Sequence, residues 1–371
     1  MKVTFFINFL NHHQAPVADE MYRLLGDNFR YVATYTRQNE DLKGGSDYSK
    51  RPYCLFAAED VNAAAEAHRL NRESDVCVYG AGNLDWERER AKTGKLSFEI
   101  SERWFKRGFI NILSPRLIKW WWLYQTKLRK KPFYTLCASG YTALDRAKLF
   151  TFKNRCYKWG YFTALPVSEL SVNKNNIIQI MWCARLILLK HPEQPLQLAE
   201  KLKNDGYNFH INIVGDGKMH LKLEKLISEY GIADCVTLQG NLPNVQVLKM
   251  MSESDVFLFT SDRMEGWGAV VNEAMSSGCC VVANEAIGST PYLIKEQETG
   301  LTYNGSIDSL YSQVKYLLDH PENCKRIGEN SRRYIQQIWS PESAAHSLLT
   351  LISDISSGND TSIKEGPCSK A

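Results

Sequence analysis

Between residues 177 and 303 the chain repeats one unit. A short run of apolar residues, without polar alternation, leads into a polar or glycine-containing turn and then a segment with helical spacing. The runs are 177–183, 209–214, 235–238, 256–259, 279–283 and 300–303. Strands apolar on both faces belong in a parallel sheet whose two sides are covered by helices. The covering segments are 193–205, introduced by Pro192, then 219–230, 245–252 and 291–294. Within 219–230, Leu221, Leu223, Leu226 and Ile227 are the apolar positions, and Gly231 closes the helix. Helical segments at 306–319 and 321–338 follow, and Ser340 with Pro341 opens a last helix to about residue 352.

The first half shows the same alternation less cleanly. Strand-like runs lie at 2–10, 31–35, 75–79, 97–100 and 134–139, with helical segments at 18–25 and 60–70. A chain of 371 residues has room for two such domains. The expected architecture is therefore α/β, with two doubly wound Rossmann-like domains facing a central cleft. The boundary falls in a polar linker at 166–176. The expected division is 1–168, 169–339, a crossover helix at 340–355 returning to the first domain, and a disordered Ser/Gly/Lys-rich tail at 356–371.

The stretch 261–274, SDRMEGWGAVVNEA, concentrates the chemistry of the second half. A buried strand ends, a polar turn carries Glu265, and Gly266 and Gly268 flank Trp267. A helix then opens near Gly268, with Glu273 eight residues beyond the first acid. Open α/β sheets bind small ligands outside the carboxyl ends of their strands, where this turn lies. Glycines there allow backbone to approach a ligand closely.

Segment 103–131 has a different character. It holds nine basic residues and no acidic one, interleaved with Trp104, Phe105, Phe109, Trp120, Trp121, Trp122 and Tyr124. Three readings stand: a solvated basic face over core aromatics, a membrane-surface patch, and a nucleic-acid surface. No nucleic-acid motif accompanies the third. Tryptophan with Lys and Arg suits the headgroup region of anionic lipid. No run approaches the roughly 18 apolar residues of a membrane span. The apolar stretch 3–10 reads as a buried strand rather than a signal peptide, because the polar sequence Asn11-His12-His13-Gln14 follows at once. The ten cysteines lack CxxC or framework spacing, which points to reduced thiols and a cytoplasmic protein.

Five features of the second half occur together and in order. They are Arg185 with Lys190, Ile213-Val-Gly-Asp-Gly217, Val236-Thr-Leu-Gln-Gly240 with Leu242-Pro243, and Glu265 with Glu273. The fifth is Val281-Val-Ala283 with Gly288, Pro291 and Thr299-Gly-Leu301. In this set the chain resembles the retaining glycosyltransferases of the GT-B fold, specifically glycosyltransferase family 4. The resemblance covers residues 177 to about 352; the first half shares only the strand–helix pattern.

The resemblance implies a donor that is a nucleoside diphosphate sugar. Glu273 would hydrogen-bond the donor ribose, and Glu265 would lie by the transferred sugar. The amides of Gly266, Trp267 and Gly268 would meet sugar hydroxyls or phosphate, and Gly215 would pass close to the nucleotide. Arg185 suits phosphate as a planar fork and Lys190 as a mobile point charge. With no Asp-x-Asp in the chain, these two cations would stand in for a metal, and no cofactor is expected. Two departures concern the first half. The family's glycine-rich loop after the first strand is replaced by residues 11–14, and the family's histidine after the fourth strand has Ser101-Glu102 in its place. His12, His13 and Glu102 are the candidates there for facing acceptor and sugar.

The expected activity is retaining transfer of a hexose-type sugar to a hydroxyl of a glycan or lipid-linked glycan, in cell-surface polysaccharide synthesis. The alternatives are another GT-B activity, such as a nucleotide-sugar epimerase or a phosphorylase, and a non-catalytic nucleotide-sugar-binding protein. The expected location is cytoplasmic, with peripheral contact at the inner face of the cytoplasmic membrane if 103–131 binds lipid, and nucleic acid is not an expected partner.

Overall fold

The computed structural model describes residues 1–36, 51–80, 82–165 and 177–371. The expected linker, 166–176, lies outside them. Two units separate, one of Met1–Ala164 with Ile338–Ala371 and one of Leu165–Gln337.

The first unit holds seven parallel strands: β1 (Val3–Ile7), β2 (Phe29–Ala33), β3 (Cys54–Phe56), β4 (Val76–Tyr79), β5 (Ser97–Ser101), β6 (Phe133–Cys137) and β7 (Cys156–Lys158). Their order is β3-β2-β1-β4-β5-β6-β7. β1 is buried at every position and pairs with β2 on one side and β4 on the other. The order reverses direction there, so the chain leaving β1 and β4 splays apart.

Several elements here carried no sequence signal, β3 and the helix Leu84–Ala91 among them. Strand β3 is only three residues long. The helix Leu84–Ala91 has five charged residues among its eight and little amphipathic separation, yet it buries Glu87 and Arg90. Arg90 accounts for its burial. Its guanidinium donates to the carbonyls of Asn71, Ser74, Asp75 and Leu96, and to Ser97 Oγ, so its charge is fully hydrogen-bonded.

The last helix, Pro341–Ser356, returns to this unit and packs on the helix Ala15–Leu25. Its cap follows the sequence expectation, since Ser340 Oγ accepts from the Ser343 amide at 3.1 Å. The tail from 356 departs from expectation, because it is ordered. Lys370 bridges antiparallel to Tyr157 on edge strand β7. The Lys158 amide donates to the Ser369 carbonyl at 2.8 Å, and the Cys368 amide donates to the Lys158 carbonyl at 2.7 Å. Cys368 is fully buried. A polar composition reads as disorder, but an edge strand offers unpaired amides and carbonyls that a short tail can satisfy.

The second unit holds β8 (Ile178–Cys183), β9 (Phe209–Val214), β10 (Val236–Gly240), β11 (Val256–Phe259), β12 (Cys280–Asn284) and β13 (Leu301–Tyr303). All are parallel, in the order β10-β9-β8-β11-β12-β13. This is the Rossmann order, with its switch point between β8 and β11. Helix Gln194–Asn204 starts one residue later than the sequence suggested and carries Pro195, not Pro192, in its first turn. Among the described residues no helix is long and apolar enough to cross a membrane.

Candidate functional site

In the second unit the site grows from the loop after β8. Ala184 to Ile187 leave the strand, a single turn of 3-10 helix spans Leu188–Lys190, and His191 follows in the left-handed region at φ 50°. Backbone contacts on two sides hold this loop. The Leu186 amide donates to the Asp216 carbonyl and the Met219 amide to the Leu186 carbonyl, each at 3.0 Å. On the β11 side, Trp182 Nε1 donates to Thr260 Oγ1, and the Thr260 hydroxyl donates to the Lys190 carbonyl, both at 2.7 Å. The Asp262 amide completes the brace, donating to the Leu189 carbonyl at 3.0 Å.

That brace brings two expected residues together across 75 positions of sequence, because Lys190 Nζ forms an ion pair with Glu265 and both side chains are largely buried. Arg185 is exposed at the start of the same loop and pairs with no carboxylate among the described residues. Glu273 lies in the first turn of the short helix Val270–Ser276, which starts two residues later than the sequence suggested. Burial pushes its carboxyl up to about 7. The Cys183 thiol, at the end of β8, is pushed up to about 12 by burial and by the nearby Glu273 charge, with Lys190 opposing. Glu273 and Lys190 thus face the same strand end.

Two glycines are required by sterics. Gly215 has φ +125°, and a Cβ there would stand 2.0 Å from the Ala184 carbonyl oxygen. Gly268 has φ +82°, and its Cβ would stand 2.2 Å from Phe259 Cζ. The backbone therefore passes in contact with β8's exit at Gly215 and with β11's last ring at Gly268. Gly266, two residues before Gly268, is buried. Trp267 is a packing residue through its ring, fully buried, with Nε1 donating to Asn272 Oδ1 at 2.8 Å. Its carbonyl accepts from Ser289 Oγ at 2.7 Å.

Sequence reasoning missed His191. Its Nδ1 lies 2.9 Å from Glu193 and its Nε2 lies 3.5 Å from Asp262. The Glu193 hydrogen bond raises its pKa, so it adds positive character beside Lys190. A histidine directly after the lysine was the available signal.

In the first unit, the three candidates gather around a residue the sequence had not singled out, Tyr161. The His13 ring stacks on the Tyr161 ring at 4.4 Å, and His12 meets His13 edge-on at 4.8 Å. The Tyr161 hydroxyl donates to Glu102 at 2.6 Å, and Lys106 Nζ lies 2.5 Å from the other oxygen of Glu102. The Phe162 amide donates to the His13 carbonyl at 3.1 Å, tying the 11–14 turn to this segment. His13 closes a small, mostly apolar cavity lined by Phe5, Ile7, Val17, Tyr31 and Ile100. Burial, reinforced by His12, pushes His13 down to about 3, and burial lowers His12 as well. Both imidazoles are therefore neutral donor–acceptor groups at pH 7. The turn leaves β1 and Glu102 leaves β5, so the cluster lies at the carboxyl edge of its own sheet.

Comparisons with known proteins bear on the fold and on the second unit's sequence. Residues 168–334 match the family model described as "Glycosyl transferases group 1". The chain is similar to the MMP alpha-(1->4)-mannosyltransferase of Mycolicibacterium hassiacum, 32% identical over 40% of this chain and 33% of the relative. It is 28% identical to the alpha-D-kanosaminyltransferase of Streptomyces kanamyceticus, over 47% of this chain and 45% of that protein. The chain thus spans less than half the length of these curated relatives. In fold it is similar to Anabaena Alr3699/HepE in complex with UDP, with TM-score 0.71 at 14% identity, covering 95% of this chain and all of that one. Sucrose-phosphate synthase from Thermosynechococcus elongatus matches with TM-score 0.67 at 14% identity, covering 97% of this chain and all of that one. The two Rossmann-like units are those of the GT-B class.

Proposed function

We propose that this chain, whose residues 168–334 belong to the group 1 glycosyl transferases, is a retaining transferase of glycosyltransferase family 4. It moves a hexose-type sugar from a nucleoside diphosphate donor to a hydroxyl of a glycan or lipid-linked glycan on the cytoplasmic side of the membrane. The observation that supports this best is the Lys190–Glu265 pair at the β8/β11 switch point, with the exposed Arg185 on the same loop.

The chemistry follows from charge. As the bond between the anomeric carbon and the leaving phosphate breaks, negative charge builds on the diphosphate. Arg185 and Lys190 neutralise it, taking the place of a metal. Glu265 holds Lys190 in position while lying beside the sugar, and Glu273, when ionised, accepts from the ribose hydroxyls. The acceptor oxygen bonds the anomeric carbon on the face the phosphate leaves, and its proton passes to the leaving phosphate. Donors preorganised in this way are each worth roughly 10²–10³ in rate. In the first unit, the neutral His12 and the Tyr161-braced Glu102 serve as hydrogen-bonding groups toward acceptor and sugar.

The test begins with thermal shifts against uridine, guanosine and adenosine diphosphates. A ligand at about 100 times its dissociation constant stabilises by about 2.7 kcal/mol. Release of nucleoside diphosphate from the matching donor is then followed with and without acceptor. Lys190→Ala and Glu265→Gln are each expected to slow release by roughly 10²–10³. Unchanged turnover in both variants would overturn the assignment, and binding with no release at all would favour a non-catalytic sugar-nucleotide binder.

A further inference from the structure

The structure sorts the basic–aromatic segment of the first unit into an anchored face and a projecting face. Trp104, Phe105, Trp120 and Tyr124 turn inward. Trp120 Nε1 donates to the buried Glu99 at 2.9 Å, and Arg146, ion-paired to Glu99, lies 3.8 Å from the Trp104 ring centre and 4.2 Å from that of Trp120. These contacts fix the helix Pro115–Leu123 on the sheet.

The outer side of this helix and of the 3-10 segment before it, Gly108–Leu113, does the opposite. Phe109 is 67% exposed, Ile110 75%, Leu113 73% and Trp122 65%, with Ile118 and Trp121 beside them. The end of the neighbouring helix extends the surface. Trp121 Nε1 donates to the Leu149 carbonyl at 3.1 Å, Lys148 lies 5.5 Å from the Phe109 ring centre, and Phe150 is 85% exposed. So many exposed large apolar side chains within one segment mark an interaction site, because their solvent exposure is unfavourable.

Charge selects the partner. Arg107, Arg116, Lys119, Lys127, Arg129 and Lys130 are exposed in the same segment, and no acidic residue lies between 103 and 131. We infer that this face docks on an anionic lipid surface, with Phe109, Ile110, Leu113 and Trp122 entering the headgroup–acyl boundary while the cations meet lipid phosphates. Aliphatic and aromatic side chains projecting among cations suit that boundary. A nucleic acid offers nothing for Ile110 and Leu113 to bury against. The inference adds a partner to the proposed transferase and stands on the surface alone, so it does not depend on the donor site.

The experiment is co-sedimentation of the full chain, without donor or acceptor, with vesicles of phosphatidylcholine alone or containing about 30% phosphatidylglycerol. Binding is expected to the anionic vesicles only and to weaken at least about tenfold in about 0.5 M salt. Phe109→Glu with Trp122→Glu is expected to weaken it by about tenfold or more at unchanged melting temperature. Trp120 is left intact because it anchors the helix. If that variant does not fold, Arg116→Glu with Lys119→Glu supplies the test, since both residues are exposed. Brominated lipid is expected to quench tryptophan emission in the wild type and less in Trp121→Phe with Trp122→Phe. Absence of vesicle binding, or equal binding to neutral vesicles and by the variants, overturns the inference. So does salt-sensitive binding to RNA tighter than to lipid, or self-association abolished by the same substitutions. Donor hydrolysis measured in parallel reports on the transferase reading independently.

Discussion

Replacing Gly215 by alanine probes how the site is held. The residue has φ +125°, and its new Cβ would lie 2.0 Å from the Ala184 carbonyl oxygen and 2.9 Å from the carbonyl carbon. Both obstacles are backbone, so no rotamer change relieves them. Neither strand can retreat cheaply, because the Ala184 amide donates to the Val214 carbonyl at 3.1 Å and the Gly215 amide to the Gly240 carbonyl at 2.8 Å. A non-glycine residue in such a backbone region costs on the order of 1–3 kcal/mol. Forcing an extra methyl into a packed contact costs typically another 1–3 kcal/mol. The sum, about 2–6 kcal/mol, corresponds to a fall in melting temperature of roughly 5–20 °C for a unit of this size. What must move is the Ala184–Arg185 peptide, so the loop carrying Arg185 and Lys190 shifts and nucleotide stabilisation falls too. Asp216→Ala is the control. It removes a 2.7 Å side-chain contact to the Gly217 amide but keeps the backbone carbonyl that receives Leu186, and is expected to cost under about 1 kcal/mol. Differential scanning fluorimetry with and without nucleoside diphosphate reads both quantities. A Gly215→Ala protein melting within a degree or two of wild type, or no worse than Asp216→Ala, would refute the steric reasoning.

Other outcomes follow from the remaining residues. His13 is held neutral with its pKa near 3, so the unfolded chain alone takes up this proton as pH falls from about 6.5. Stability is expected to drop between pH 6.5 and 3 by up to about 1.4 kcal/mol per unit, and urea titrations of His13→Asn should lose that slope. Glu273 has the opposite sign, because its raised pKa of about 7 contributes stability below pH 4.5 that disappears as pH rises to 7. Glu273→Gln should flatten melting temperature against pH in that window, and calorimetric nucleotide affinity in the wild type should rise through pH 7 as the carboxylate forms. Deleting residues 366–371 removes buried Cys368 and its pairing with β7, with an expected loss of about 2–5 kcal/mol in thermal or urea unfolding.

Much of the second unit was legible because its information is local. Unbroken apolar runs specify strands buried on both faces, the helical spacings between them specify crossovers, and parallel crossovers admit few topologies. Gly215 and Gly268 stood out because the chain there takes conformations that other residues resist. Ser340 announced the last helix through its own hydroxyl.

What remained hidden depends on which strands become neighbours. Lys190 meets Glu265 because β8 pairs with β11, and nothing within either segment records that pairing. Tyr161 reaches Glu102 across 59 residues, which made a turn-like aromatic segment part of the histidine cluster. Trp120, Trp121 and Trp122 are indistinguishable as letters, yet Glu99 and Arg146 draw the first inward and leave the others at the surface. The tail looked disordered because composition counts only what a segment can bury alone, whereas β7 presents an edge for it to pair with. Local periodicity encodes elements; contacts between distant side chains arise only once the sheet order has put their strands side by side.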